Sequence, residues 1–235
     1  MDPATYADVR TAAQAASNER AAFIRRTYLH LAGALLLFVV LEYLLLNASF
    51  AKALTMKMMG SHMSWLVVLG LFMAVSWVAE RWARSSTSLG MQYLGLGLYV
   101  VAEAIIFLPL LFIVVFVVKD PKIIPSAGLL TLTLFAGLTG TVFITRKDFS
   151  FLRGILMVGG FVALGVIVVA MLFGFSLGTF FSLAMVALAG GYMLYHTSNI
   201  MRHYRTDQHV SAALALFASV ALMLWYIILL FMDRD

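Results

Sequence analysis

Cysteine is missing from all 235 positions. That excludes disulfides, thiolate nucleophiles and Cys-held zinc or iron–sulfur centres, and it leaves the compartment open. Charge is scarce too: 11% of residues are Asp, Glu, Lys or Arg, 63% are hydrophobic, and the mean hydropathy is +0.99. Soluble domains average about 25% charged and about 45–50% apolar residues, so a single core cannot hide this much apolar surface and the bilayer is the expected solvent. Lysine occurs only at Lys52, Lys57, Lys119, Lys122 and Lys147, all expected in loops, which removes a retinal-type Schiff base. No aspartate falls inside an apolar run, and H-E-x-x-H does not occur. An intramembrane metallo- or aspartyl protease therefore lacks its catalytic set, and the expectation is a non-enzymatic protein with no cofactor. His203, Asp207 and His209 match no zinc spacing, so no metal site is expected.

What is present is a series of apolar runs. A transmembrane helix takes about 20 residues, so these runs consume the chain and leave no room for a separate soluble or nucleic-acid-binding domain. Seven spans are expected, at Tyr28–Leu46, Trp65–Glu80, Gln92–Val118, Ser126–Thr145, Gly154–Phe173, Ser176–Asn199 and Val210–Met232. Residues 28–232 then form an all-α integral membrane domain. Residues 1–27, polar and without an apolar leader run, form an N-terminal arm, read as a surface helix or a solvated tail. The third run is long enough to require tilt or a bend, with Pro109 as the kink point. Gly174 and Phe175 alone separate the fifth and sixth runs, a tight hairpin.

The net charge of +5 is read as topology. With the N-terminus inside, one side holds Arg10, Arg20, Arg25, Arg26, Arg81, Arg84, Arg146, Lys147, Arg153, Arg202 and Arg205. The other holds Lys52, Lys57, Lys119, Lys122 and Arg234. This bias predicts a cytoplasmic N-terminus and a C-terminus on the far side of a cell inner (plasma) membrane, unless the last run, with Ser211 and Ser219, is re-entrant. Trp65, Trp82, Tyr28 and Tyr43 fall near run ends, where interfacial aromatics belong. Glycines such as Gly33, Gly95, Gly97, Gly137, Gly140, Gly159, Gly160, Gly165, Gly190 and Gly191 mark candidate helix contact faces.

Few polar groups lie inside the runs. Glu103 sits far from either end, where an acidic side chain costs on the order of 2.5–3.5 kcal/mol, so it needs a partner, a watery cavity or a proton. His196 near the end of the sixth run, followed by Thr197, Ser198 and Asn199, carries the side chain best suited to titrate near neutrality. Ser219 is ten residues into the last run and is able to satisfy itself on a carbonyl one turn earlier. Glu42, Glu80 and His30, closer to run ends, are expected to snorkel toward the interface. Arg81 and Arg84 read as topology determinants.

Two stretches then point to a family. Thr131-Leu-Thr-Leu-Phe-Ala-Gly-Leu leads through the fourth run to Thr145-Arg-Lys-Asp-Phe-Ser-Phe-Leu152, and Tyr192-Met-Leu-Tyr-His-Thr-Ser-Asn-Ile200 precedes Ser211-Ala-Ala-Leu-Ala-Leu-Phe217. They resemble the Bax inhibitor-1 family, also called the transmembrane Bax inhibitor motif family, in particular its bacterial YccA-like branch. The resemblance implies a seven-helix bundle with the last helix in the centre and an association with pH-sensitive calcium or proton leak. It also implies a sensor made of two aspartates and an arginine. Here those positions correspond to His196 and Ser219, with Arg81 nearest the arginine, so both carboxylates are absent. Glu103, His196, Ser219, Asn199 and Arg81 are the candidate ion or pH-sensing residues. The same branch implies an alternative role as modulator or substrate of a membrane-bound ATP-dependent protease, with the basic arm as contact point.

Overall fold

The structure, a computed structural model, describes residues 11–85 and 88–233. Arg10 and Arg234, both counted toward the expected orientation, lie outside the described residues. The chain forms α1 (Ser17–Leu46), α2 (Ala51–Met58), α3 (His62–Ala83), α4 (Leu89–Phe112) with a π-helical continuation (Ile113–Val118), α5 (Ile123–Thr145), α6 (Leu152–Phe173), α7 (Gly178–Arg202) and α8 (His209–Met232). Seven of these are long and apolar enough to cross a membrane, and among the described residues there is only one isolated β-bridge.

The run boundaries match the helices to within a few residues, with three instructive differences. First, α1 begins at Ser17, well inside the expected arm. Phe23 and Thr27 are buried, and ahead of the helix Ala12 is fully buried with its N–H donated to the Tyr204 carbonyl at 2.8 Å. The segment from Thr11 onward is thus a strap laid across the α7–α8 loop. Second, the loop carrying Lys52 and Lys57 holds the short helix α2. Third, α4 runs through Pro109, and its geometry changes only at Ile113, where it widens to a π-helix. That π-helix closes with the Lys119 N–H on the Val114 carbonyl at 2.9 Å, and Lys119 itself is left-handed at φ 60°.

The strap, the α5–α6 loop and the α7–α8 loop lie together at what we call the proximal end. The α6–α7 turn and the end of α8 mark the distal end, where the Thr179 hydroxyl donates to Asp233 at 3.3 Å. Gly174, at φ +73°, lets the α6–α7 turn close.

At the centre stands α8. Val210, Ala212, Ala213, Leu216, Phe217 and Ile228 are fully buried, and it packs against α1, α3, α4, α5 and α7. It runs the full length of the bundle enclosed by protein and is not re-entrant. Its neighbours seal around it with aromatic edges: Phe38 and Tyr99 on Phe217, Phe107 on Trp225. Trp65 stacks on Trp225 and Tyr28 packs on Phe135 and Phe143, so these two aromatics face inward instead of anchoring at an interface. Four threonines on α5 are absorbed locally: Thr131, Thr133, Thr141 and Thr145 each donate to the carbonyl four residues earlier. Of the glycines, Gly95 faces the backbone of Ala79 and Ala83, and Gly159, Gly160 and Gly191 meet side chains across α6 and α7. Gly33, Gly97, Gly137, Gly140 and Gly165 have open space.

Candidate functional site

The two motif stretches meet. The Ser198 hydroxyl accepts the Phe149 N–H at 3.0 Å and donates to the Lys147 carbonyl at 3.5 Å, and Arg202 donates to the Arg146 carbonyl. The α5–α6 loop is thereby clasped to the end of α7. Within the loop the exposed Asp148 carboxylate accepts the Ser150 N–H at 2.9 Å. That bond holds it below the ordinary aspartate range, with Arg202 and His203 adding to the effect.

A cleft of about 1020 Å³ runs between α3, α4, α6, α7 and α8. It extends from His62, the Gly174 turn and Asp233 at the distal end, past Tyr99, Glu103 and Ser219, to Glu80 and His196 near the proximal end. Three of the expected residues, Glu103, Ser219 and His196, therefore share one cavity. Glu103 is 6% exposed and interacts with Tyr99 one turn earlier on α4. Ser219 donates to the Ala215 carbonyl at 3.0 Å, the self-satisfaction expected of it. His196 stacks on Tyr192 and meets Tyr195 edge-on, with ring centroids 6.1 and 5.2 Å away. Tyr192 is itself fixed, its hydroxyl donating to the Leu156 carbonyl at 2.9 Å.

A second cavity of about 490 Å³ opens at the proximal end, lined by Arg84, Arg153, His203, Asn199 and, again, His196. The imidazole thus stands at the junction of the two spaces. Asn199 belongs to the second cavity only. Arg81 lines neither: its guanidinium lies over the Trp77 ring, 5.7 Å from the centroid. The arginine in electrostatic reach of His196 is Arg84, three residues on, which also pairs with Glu80 at 3.5 Å. Burial raises the phenol of Tyr204, in the loop beside it, against the opposing pull of Arg84.

Glu42 and His30 do not snorkel. His30 bonds the Tyr93 hydroxyl at 2.9 Å and packs on His209. Glu42 is 5% exposed, lies in electrostatic reach of Glu103, and neither of its carboxylate oxygens has a hydrogen-bond partner. A buried, unpartnered polar group costs about 1–3 kcal/mol. Glu42→Leu is therefore expected to stabilise the protein by about that amount, read as a higher unfolding temperature in detergent; an unchanged or lower one would mean that the carboxyl has a partner.

Six apolar spans around an enclosed seventh, with a largely apolar cleft through the interior that carries Glu80, Glu103 and His196, define a multi-pass integral membrane protein. The family model described as inhibitor of apoptosis-promoting Bax1 matches residues 20–235, and the chain belongs to the Bax inhibitor-1 family. It is also similar to the uncharacterized protein PA2604 of Pseudomonas aeruginosa, 36% identical over 100 residues. That match spans 42% of this chain and 45% of the length of the relative.

Proposed function

We propose that this protein passes protons across an inner (plasma) membrane through the interior of the bundle, with His196 as the relay between the two cavities and the N-terminus in the cytoplasm. The observation that supports it is that His196 lines both spaces, while Glu103 and Ser219 line the larger one. A relay needs a group able to take a proton on one side and release it on the other, and the two ring nitrogens of an imidazole suit it to this. Glu103, Tyr99 and Tyr192 supply further exchangeable protons along the cleft, and the space between them is large enough for bridging water.

A divalent cation is disfavoured on the same path. The positions that the family resemblance would fill with aspartates hold His196 and Ser219, and the proximal cavity confronts a cation with Arg84 and Arg153. A proton moves by transfer between groups and does not have to approach those guanidinium ions as a solvated charge. Such a path requires no chemistry beyond proton transfer and no enzymatic role.

The test is proton flux into liposomes that carry the protein and a pH-sensitive dye. Wild type is expected to exceed empty liposomes, Glu103→Gln and His196→Asn to lose at least about tenfold of the excess, and Gly97→Ala, which lies in open space, to keep it. Wild-type flux equal to empty liposomes from pH 5 to 8 overturns the proposal.

A further inference from the structure

The proximal cavity has a chemistry of its own, independent of whether protons cross the bundle. Four helix ends converge on it: the starts of α6 (Ser150, Arg153) and α8 (Gln208, Ser211) and the finishes of α3 (Arg84) and α7 (Asn199, His203). Two starts contribute partial positive charge and two finishes partial negative charge, so the dipoles largely offset one another and the formal charges decide. Those charges are of one sign. Arg84 and Arg153 line the space and, among the described residues, no carboxylate does; Glu80 pairs with Arg84 from outside the lining.

The remaining lining is rich in donors. Tyr195 brings a hydroxyl and Asn199 an amide. The Gln208 side-chain oxygen already accepts the Arg205 N–H at 3.1 Å, which leaves its NH2 as the group to offer. Ser211 bonds the Gln208 carbonyl at 3.2 Å and holds the first turn of α8 in place.

We infer that this cavity binds a phosphate-bearing anion, gripped by Arg84 and Arg153 and hydrogen-bonded by Asn199, Tyr195 and Gln208. Guanidinium groups match phosphate oxygens in geometry as well as in charge. The volume, about 490 Å³, lies in the range of small-molecule sites and far exceeds what one bare ion fills, so the phosphate belongs to a larger molecule or arrives with water. Two sources share this chemistry at the end of a membrane bundle: the headgroup of an anionic phospholipid, and a soluble phosphate.

The experiment uses the full chain in detergent micelles. Native mass spectrometry reports retention of phosphatidylglycerol against phosphatidylcholine, and calorimetric titration reports binding of inorganic phosphate. Wild type is expected to retain phosphatidylglycerol selectively if the source is lipid, or to bind inorganic phosphate if it is soluble. In either arm Arg84→Gln/Arg153→Gln should weaken binding by about tenfold or more, the fold-change expected for losing hydrogen bonds to a charged group. Ser150→Asp, which leaves both arginines in place and adds an anion at the exposed rim, should weaken it as well and guards against a double variant that fails to fold. Arg25→Gln/Arg26→Gln, on α1 outside the cavity, should leave it unchanged. Binding of neither probe by wild type overturns the inference. So does an equal loss in the α1 variant, which would mark a diffuse attraction to basic surface, and so does full binding by a folded Ser150→Asp protein.

Discussion

Gly95→Val is expected to destabilise the bundle by about 3 kcal/mol or more, at or beyond the upper end of the usual cost of overpacking. A Cβ at position 95 would stand 2.5 Å from the Ala79 carbonyl oxygen and 2.5 Å from the Ala83 nitrogen. Both are backbone atoms, so no rotamer change relieves the clash and α3 must move away from α4 along its length. These helices are held together by close van der Waals packing, since hydrocarbon offers no hydrophobic force to press them together. Two residues further on, a Cβ at Gly97 meets nothing within 4 Å. Gly97→Ala should therefore retain or gain stability, up to the roughly 1 kcal/mol by which Ala is the better helix former. Heating each variant in detergent and measuring the monodisperse fraction by size exclusion distinguishes them. Equal midpoints for the two would mean that α3 and α4 do not close on Gly95.

Phe217→Ala ranks next, at about 3 kcal/mol. Phe217 is fully buried on α8 and takes the ring edges of Phe38 and Tyr99 at centroid distances of 5.9 and 6.1 Å. Truncating a buried Phe costs about 3–5 kcal/mol in water-soluble proteins through a transfer term and a cavity term. In a bilayer the transfer term shrinks, because the unpacked side chain faces lipid rather than water. The cavity term remains, which places the value at the lower end of that range. Phe180 provides the contrast: it is 87% exposed at the distal end, and Phe180→Ala should change stability by no more than about 0.5 kcal/mol. A Phe217 variant as stable as the Phe180 variant would contradict the central position of α8.

The spans are legible in the sequence because each is a long apolar run bounded by charge, proline or glycine, and run length alone distinguishes membrane helices. Residues 17–27 are legible only as a surface helix or a solvated tail, not as the packed start of the first span. Their composition is polar, and their order comes from Phe23 and Ala12 packing against neighbours far along the chain. Glu103 stands out because it lies far from both ends of its run. Glu42, four residues before the end of α1, has the look of a side chain able to reach the interface. Only the packing of α1 on α4 shows that it points inward, and no one-dimensional pattern encodes that. Arg81 and Arg84 lie on neighbouring faces of one helix end, so spacing does not choose between them. The choice falls to Trp77, which holds Arg81 on the outside.

The central place of α8 also bears on how the protein is made. Seven helices, including the short α2, leave the ribosome before α8, and the ring of spans has its inner faces toward a position that nothing yet occupies. Tyr99, Phe107 and Phe38 must wait for Phe217 and Trp225. Until α8 arrives, the buried carboxyl groups Glu42 and Glu103 have no enclosed interior to belong to. A nascent chain stalled before His209 would therefore present a loosened ring with acidic groups at membrane depth. Completion of the bundle is then a late event, in which one hydrophobic rod gives the surrounding spans the surface on which they close.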